Sequence, residues 1–449
     1  MSAEGRAGGA VFPRGAAVHL QPDAIPVIRP APPRGRRAVV SVSGAEGGGM
    51  PVEVIFFNVG QGDCTFLWFY KVQGGGGGGV SPLANRVGVG AALIDCGSLL
   101  ATPHHSTVGQ PGTDDQRMVG HIRQVIADRL GRNAGAAKDR LDYLFLSHPD
   151  ADHHNKLGAL LCNSAGTLDF GIQEVWYTGK PQDYYGRQTQ GFIYDLLAQG
   201  RWGNLTNGMH AVANAPWQVP LHSASLPVPI AAGATGMPEL SLISSSLYAE
   251  PGGRKEVSKV RGKRSSTWKN AASLVFLLTG EPASGTSLRQ KVLLMADAEE
   301  GVEDFLMGSD LVKPKYQREN NLWLKAGHHG SMWATSDEWV AYTTPDALLI
   351  SSGRASFGGT GMPAESHLND IRKVLAPHGI PQPAIAPQQQ HAYASFQKGK
   401  QPPFVVQNTS EGICTTLVES PVGGRGWLGV DWHLIIDDPQ PGDYHLEYN

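Results

Sequence analysis

The chain has 449 residues, with 37 Lys and Arg against 40 Asp and Glu. That length suits one large layered domain with insertions, and the near-balanced charge argues against a global field for nucleic acid or membrane. Four scattered cysteines, Cys64, Cys96, Cys162 and Cys414, form no C-x-x-C pair, which argues against a zinc ribbon or a disulfide framework and suits free thiols in a reducing cytoplasm. No apolar run approaches the roughly 18 residues that span a bilayer, and Met1 to Pro13 has no apolar signal core, so a cytoplasmic protein with no membrane contact is expected.

Residues 1–50 are rich in Gly, Ala, Pro and Arg and lack sustained periodicity, so they cannot bury enough apolar area to offset chain entropy; a flexible arm is expected there, ahead of one domain over 51–449. Val52 to Phe57 reads as a strand, Val59-Gly60-Gln61-Gly62-Asp63 as a tight turn, and Cys64 to Tyr70 as the second strand of a hairpin. Six glycines, Gly74 to Gly79, lead to a strand over Val87 to Cys96. Met118, Ile122, Val125, Ile126 and Leu130 fall at helical spacing within Arg117 to Leu130, and Leu141 to Leu146 is the next strand. A helix over Lys156 to Leu161 and a strand over Glu174 to Tyr177 follow. Over 179–266 the pattern decays into Gly, Pro, Ser and scattered aromatics, which reads as a long insertion of mixed local structure.

Periodicity returns with strands over Ala271 to Thr279 and Lys291 to Met295, a helix over Glu299 to Met307, a strand over Leu322 to Lys325 and a helix over Asp337 to Tyr342. A strand over Ala347 to Ser351, a helix over His367 to Leu375 and strands over Ile413 to Val418 and His433 to Ile436 complete the chain. Two comparable sets of strands and helices thus flank the insertion.

The stretch Ser147-His148-Pro149-Asp150-Ala151-Asp152-His153 sets four ligand-type side chains within six residues, directly after an apolar strand. In an extended segment alternate side chains share a face, so His148, Asp150 and Asp152 can converge while His153 turns to a neighbouring position. One ion rarely takes all four; two divalent ions a few Å apart would. Other apolar strands end in Leu93-Ile94-Asp95-Cys96-Gly97, in Met295-Ala296-Asp297 and in Leu324-Lys325-Ala326-Gly327-His328-His329-Gly330-Ser331.

This order of motifs, over roughly Val52 to Ile436, resembles the metallo-β-lactamase superfamily, and within it the soluble hydrolase domain of the ComEC/Rec2 competence proteins. That likeness rests on the Val-Gly-Gln-Gly-Asp turn, on Asp150 where most of the superfamily has a middle His, on the His-His-Gly-Ser run and on Asn270 before Ser273-Leu274-Val275. Two departures stand out: the late His-Pro of the family is replaced by Gly361-Met362-Pro363, with His367 nearest, and the membrane channel of the competence proteins has no counterpart here. The resemblance implies an α/β fold, a four-layer αββα sandwich carrying the long insertion.

It also implies a pair of divalent ions, Zn2+ or Mn2+. His148 and Asp150 would hold one, Asp152 and His153 the other, and Asp297 would bridge both. One of His328 and His329 would complete the second site, and the other would contact substrate or donate a proton; no third protein ligand for the first ion stands out. Asp152, Asp297, His328 and His329 are therefore the candidate catalytic residues. Asp150 adds negative charge and a hard oxygen donor, which tilts the site from zinc toward manganese. Asp63 and Asp95 are expected to support the ligands from behind, with plain turn formation as the alternative; Glu303 is expected to solvate its helix rather than orient the site, and Cys64 and Cys96 to be small core residues.

Between Arg254 and Lys269 seven basic residues are opposed only by Glu256. Arg261, Lys263 and Arg264, with Ser331, are the candidate substrate contacts, since such a run suits a phosphate backbone. The expected function is hydrolysis of a phosphodiester, in DNA, RNA or a nucleotide, through a hydroxide bridging the two ions. The alternatives are hydrolysis of a carboxylic ester, lactam or phosphorylcholine-type ester; a binding or regulatory subunit that uses its metals structurally and meets a protein partner through the insertion or the arm; and a defence- or toxin-type effector whose hydrolase is held inactive until a partner arrives. The sequence does not fix the oligomeric state.

Overall fold

The computed structural model describes residues 51–73, 83–99, 101, 107, 110–179, 181–184, 193, 209–212, 224–226, 238–245, 268–282, 289–308, 321–345, 347–352, 356–357, 360–361, 364–375, 417–419, 425–427 and 431–436. The expected arm over 1–50, the glycine run and the basic residues Arg261, Lys263 and Arg264 lie outside the described residues.

The first sheet is built from β1 (Val52–Phe56), β2 (Thr65–Val72), β3 (Arg86–Ile94), β4 (Arg140–Leu146), β5 (Gly171–Thr178) and β6 (Met209–Val212). The second contains β7 (Ala224–Leu226), β8 (Glu239–Ser244), β9 (Val275–Pro282), β10 (Arg289–Leu294), β11 (Asn321–Lys325) and β12 (Ala347–Leu349). Two short antiparallel pairs follow, β13 (Ser356–Phe357) with β14 (Thr360–Gly361) and β15 (Leu417–Glu419) with β16 (Arg425–Trp427), before β17 (Trp432–Ile436) returns to the first sheet beside β1. Both sheets are mixed. In the order β17-β1-β2-β3-β4-β5-β6 the first four are antiparallel and β3 to β6 parallel; in the order β12-β11-β10-β9-β8-β7 the first three are parallel and the rest antiparallel.

The strands read as continuous apolar runs because both faces of each sheet are covered. Val52, Val54 and Phe56 of β1 and Leu67 and Phe69 of β2 join Leu240, Leu242, Phe276, Leu278, Val292 and Leu294 in one core between the sheets. The alternate residues Ile55, Phe66 and Trp68 face outward onto α1 (Asp114–Gly131), through its Met118, Ile122, Ile126 and Leu130. The short α2 (Ala151–His154), α3 (Leu157–Leu161) and α4 (Trp268–Ala271) follow in the chain, and α3 packs on the same outer face through Leu157, Leu160 and Leu161. On the far side, Leu293 and Met295 meet α5 (Glu300–Gly308), α6 (Asp337–Thr343) and α7 (Glu365–Leu375) through Val302, Leu306, Trp339, Val340 and Ile371. The layers run helix, sheet, sheet, helix: the four-layer αββα sandwich expected from the sequence.

Local signals account for the element ends. Thr113 caps α1 by accepting from the Gln116 amide at 3.2 Å while the Gln116 side chain accepts from the Thr113 amide at 2.9 Å, a reciprocal cap that satisfies two otherwise orphaned donors. The stretch over 179–266 is more than an insertion beside the fold: β6 extends the first sheet, and β7 and β8 extend the second, with Leu240 and Leu242 buried between the sheets. The metal loop also departs from the extended form expected of it. His148 and Asp150 precede a single helical turn, so Asp152 and His153 stand on α2 rather than on an extended run.

Candidate metal centre

Every side chain of the centre comes from a loop at the carboxyl end of a parallel strand, the edge where open α/β sheets place their sites. β3 delivers Asp95, β4 delivers His148 to His153, β10 delivers Asp297, and β11 delivers His328 and His329. Backbone packing locks these loops together. The Asp63 amide donates to Asp152 O at 3.1 Å and the Cys96 amide to His153 O at 2.9 Å. A Cβ on Gly62, at φ +154°, would lie 2.6 Å from Asp152 O, and one on Gly97 would lie 2.3 Å from Asp152 C, so only glycine lets the two turns press this close. Asp95, Ala296, His328 and His329 all adopt positive φ, at 59°, 48°, 41° and 53°. Such backbone is costly for non-glycine residues and persists only where its surroundings hold it.

Four imidazoles converge on one carboxylate. The His153 Nε2 to Asp297 Oδ1 distance is 3.1 Å and that of His329 is 3.5 Å; His148 Nε2 lies 3.5 Å from Asp297 Oδ2 and His328 Nε2 lies 3.7 Å from it. Each ring uses its other nitrogen for an acceptor. His153 Nδ1 donates to Asp95 Oδ2 at 2.8 Å, His328 Nδ1 to Glu299 Oε1 at 2.9 Å and His329 Nδ1 to Ser351 O at 2.8 Å. Ser147 Oγ, which donates to Asp95, lies 3.1 Å from His148 Nδ1 and so accepts from it. In the neutral tautomer fixed this way, all four Nε2 lone pairs face the Asp297 carboxylate.

That arrangement is unfavourable without a cation. His148 Nε2, His153 Nε2, His329 Nε2 and Asp297 Oδ1 are buried and have no hydrogen-bond partner, although buried polar atoms normally do. Protons are one remedy. Burial pulls the imidazoles down, but Asp297 and its neighbours outweigh it, raising His153 and His329 and taking His328 to about 9. Burial alone would raise Asp297 and Asp152; the surrounding histidines instead hold Asp297 well below the usual carboxylate range and Asp152 at about 2. Metal ions are the other remedy, and the donor set fits them. Ligand atoms of His148, His153 and Asp297 lie within 4.8 Å of one another, as do those of Asp152, His153 and His329.

Of the residues singled out by sequence, His148, Asp152, His153, Asp297, His328 and His329 meet in one cluster, with Asp152 Oδ2 3.3 Å from His329 Nε2. Asp150 stands at the rim: Oδ2 is 3.7 Å from His148 Nε2, while Oδ1 pairs with Lys269, whose ammonium also donates to Pro149 O at 3.2 Å. Lys269 offsets the extra charge that Asp150 was expected to bring. Asp95 lies behind His153 and accepts from its Nδ1; Asp63 pairs with the buried Lys325 and lies 3.9 Å from His153 Nδ1. Ser331, expected to contact substrate, is 3% exposed and accepts from the Trp333 amide at 3.3 Å, so it holds its own turn. His367, nearest to the missing His-Pro, is brought to the backbone of Ala334 and Thr335.

Three contributors are not evident from sequence. Glu299 accepts from both His328 and Asn270, the latter at 2.7 Å. Lys325 sits 4% exposed against Asp63. Glu303, expected in solvent, is fully buried and accepts from the Thr335 and Ser336 amides. The signals on offer were a carboxylate close behind Asp297 and a Lys ending an apolar strand; neither has a spacing that marks it.

No protein family matches the chain, and no curated protein does. Among solved structures, a long form RNase Z from yeast aligns at 11% identity and a TM-score of 0.30, covering 74% of this chain and 37% of that one. Unliganded yeast PDE1 aligns at 9% identity and a TM-score of 0.29, covering 73% of this chain and 84% of that one. This chain therefore spans well under half of the RNase Z.

Proposed function

We propose that the chain is a binuclear metal-dependent hydrolase of the metallo-β-lactamase superfamily, acting on phosphodiesters of nucleic acids or nucleotides. The observation that carries the metal reading is the convergence of four imidazole Nε2 atoms on Asp297, two on each of its oxygens. His153, His329, Asp152 and Asp297 Oδ1 would hold one ion; His148, His328, Asp297 Oδ2 and Asp150 the other. His328 thereby becomes the third protein ligand that the sequence left without a name. Two such ions would ready a water for attack near neutral pH and offset charge building on a scissile phosphate.

The chain's own residues divide the remaining work. Asp95, Glu299, Ser147 and Ser351 fix the tautomer and direction of each imidazole, which raises ligand basicity and removes reorganisation from the reaction. Lys269, its side chain 34% exposed and paired with Asp150 beside the centre, would meet an anionic substrate. A phosphodiester is favoured over a neutral ester because Lys269 ends the basic run that begins at Arg254.

The test is metal content first and substrate second. Protein purified without chelator should carry close to two divalent ions, Asp297→Ala should lose both, and Asp150→Ala should weaken only one. Reloaded with zinc or manganese, it should cleave bis-p-nitrophenyl phosphate and oligonucleotides. A folded protein that binds no ion rejects the metal reading, and turnover of an ester or lactam with no phosphodiester cleavage rejects the substrate class.

A further inference from the structure

The Lys325–Asp63 pair lies under the metal centre, and its geometry is unusual for a structural ion pair. Both side chains are nearly inaccessible, at 4% and 5% exposure. Lys325 ends β11, four residues before His329, whereas Asp63 ends the turn after β1, so the pair ties the two sheets together where they share the site. Only one carboxylate oxygen is used: Lys325 takes Oδ2, and Oδ1 is buried without a hydrogen-bond partner. Even so held, Asp63 keeps a ligand atom within 4.8 Å of donors on Asp297 and His329. Beside the pair is a cavity of about 10 Å³, lined by Asp63, Thr65, Asp95 and Lys325 and, toward the core, by apolar side chains such as Phe276 and Leu294, room for roughly one water.

We propose that Lys325 is a positioning residue that restrains Asp63 as an outer partner and keeps it from joining Asp152 and Asp297 as a third carboxylate around the ion on the His153 and His329 side. The inference rests on the metal reading above. Breaking a buried pair leaves an uncompensated charge, and the nearest compensation for a freed Asp63 is the ion itself. A further hard oxygen donor favours manganese over zinc, so the ammonium sets the metal preference of a site it never touches.

The experiment is calorimetric titration of metal-stripped protein with Mn2+ and with Zn2+, read as the ratio of the two affinities. Lys325→Met should shift the ratio toward manganese by about tenfold or more, the scale of outer-partner effects on metal sites. Lys325→Met/Asp63→Asn should return it close to wild type, because Asn offers no charged oxygen, and Lys325→Arg should leave it there. Cobalt-loaded protein gives a second readout: absorption of Lys325→Met should weaken toward that of a higher coordination number, which a merely structural role would not do. An unchanged ratio in folded Lys325→Met, or a shift that survives Asp63→Asn, overturns the proposal. Should Lys325→Met not fold, Asp63→Asn alone decides: an unshifted ratio agrees with an outer role, and a shift toward zinc shows that Asp63 was already a ligand. These readouts need no turnover, so a protein that binds ions and cleaves no phosphodiester defeats the substrate reading and leaves this one standing.

Discussion

His153 Nδ1 donates to Asp95 Oδ2 at 2.8 Å, and the same carboxylate receives the Ser147 amide at 2.8 Å and the Ser147 hydroxyl. One side chain at φ 59° therefore orients His153 directly and His148 through Ser147. Asp95→Ala should reduce divalent-ion affinity by roughly 10- to 100-fold, the usual cost of losing such a partner. Titration of metal-stripped protein measures it, and an affinity within a factor of two of wild type would show that packing alone aims the ring.

The sandwich was legible because strand and helix periodicities differ and both sheets are covered on both faces. The apolar runs of β1, β2, β4, β9 and β10 are readable without partners, and ligand-type residues after strand ends locate the centre. β6, β7 and β8 were not legible: Glu239–Ser244 is a short run amid Gly, Pro and Ser, and its place in the inter-sheet core depends on pairing with β9. The extended form expected for the metal loop failed because the turn at Ala151–His154 is imposed from outside, by amides of Asp63 and Cys96 binding its carbonyls. Glu303 was misread for a similar reason. Its acidic neighbours on α5 suggest solvent, while the amides that bury it lie 32 and 33 residues onward.

Metal binding should be strongly coupled to protons. His328 is raised to about 9 and His153 and His329 are raised as well, so in the metal-free protein their contribution to stability is fully present below the ordinary histidine value of about 6.5; that of His328 is lost as pH rises through about 9, and those of His153 and His329 as pH rises through their own raised values. Asp152, lowered to about 2, contributes above its ordinary value of about 4 and loses that as pH falls through about 2. For these groups the stripped protein should be most stable between about pH 4 and 6.5. An ion must displace the imidazole protons, so the gain in Tm on loading should grow from pH 6.5 to 9. Equal gains across that range would mean that the histidines are not the ligands.

Glu303 holds the turn that follows the paired histidines. Burial pushes its carboxyl up to about 7, against the opposing pull of the Ser336 and Thr335 contacts. Because the folded value lies above the ordinary one of about 4.3, its contribution to stability is present at low pH and is lost as pH rises through about 7, on the order of 3 to 4 kcal/mol. Glu303→Gln removes that titration but also one amide acceptor. Measured by denaturant unfolding of the metal-free protein, the variant should look worst against wild type near pH 5 and improve toward pH 8. A constant difference between the two over that interval would assign the ionised carboxylate no cost.

Neutralising the basic run tests nucleic acid against small substrates. Arg261, Lys263 and Arg264 precede Lys269, whose ammonium already reaches the rim of the centre at Asp150. If the run tracks a phosphate backbone, neutralising all three frees up to three phosphates, each of which otherwise releases counterions on binding. The slope of log affinity against log salt for a single-stranded oligonucleotide should then fall by about 0.7 for each phosphate that is no longer neutralised, roughly two in all. Turnover of bis-p-nitrophenyl phosphate, which carries a single phosphate and no extended backbone, should change little. Should affinity and salt slope match wild type while that turnover is intact, the run is a solvated loop, and Lys269 alone would carry the preference for an anionic substrate.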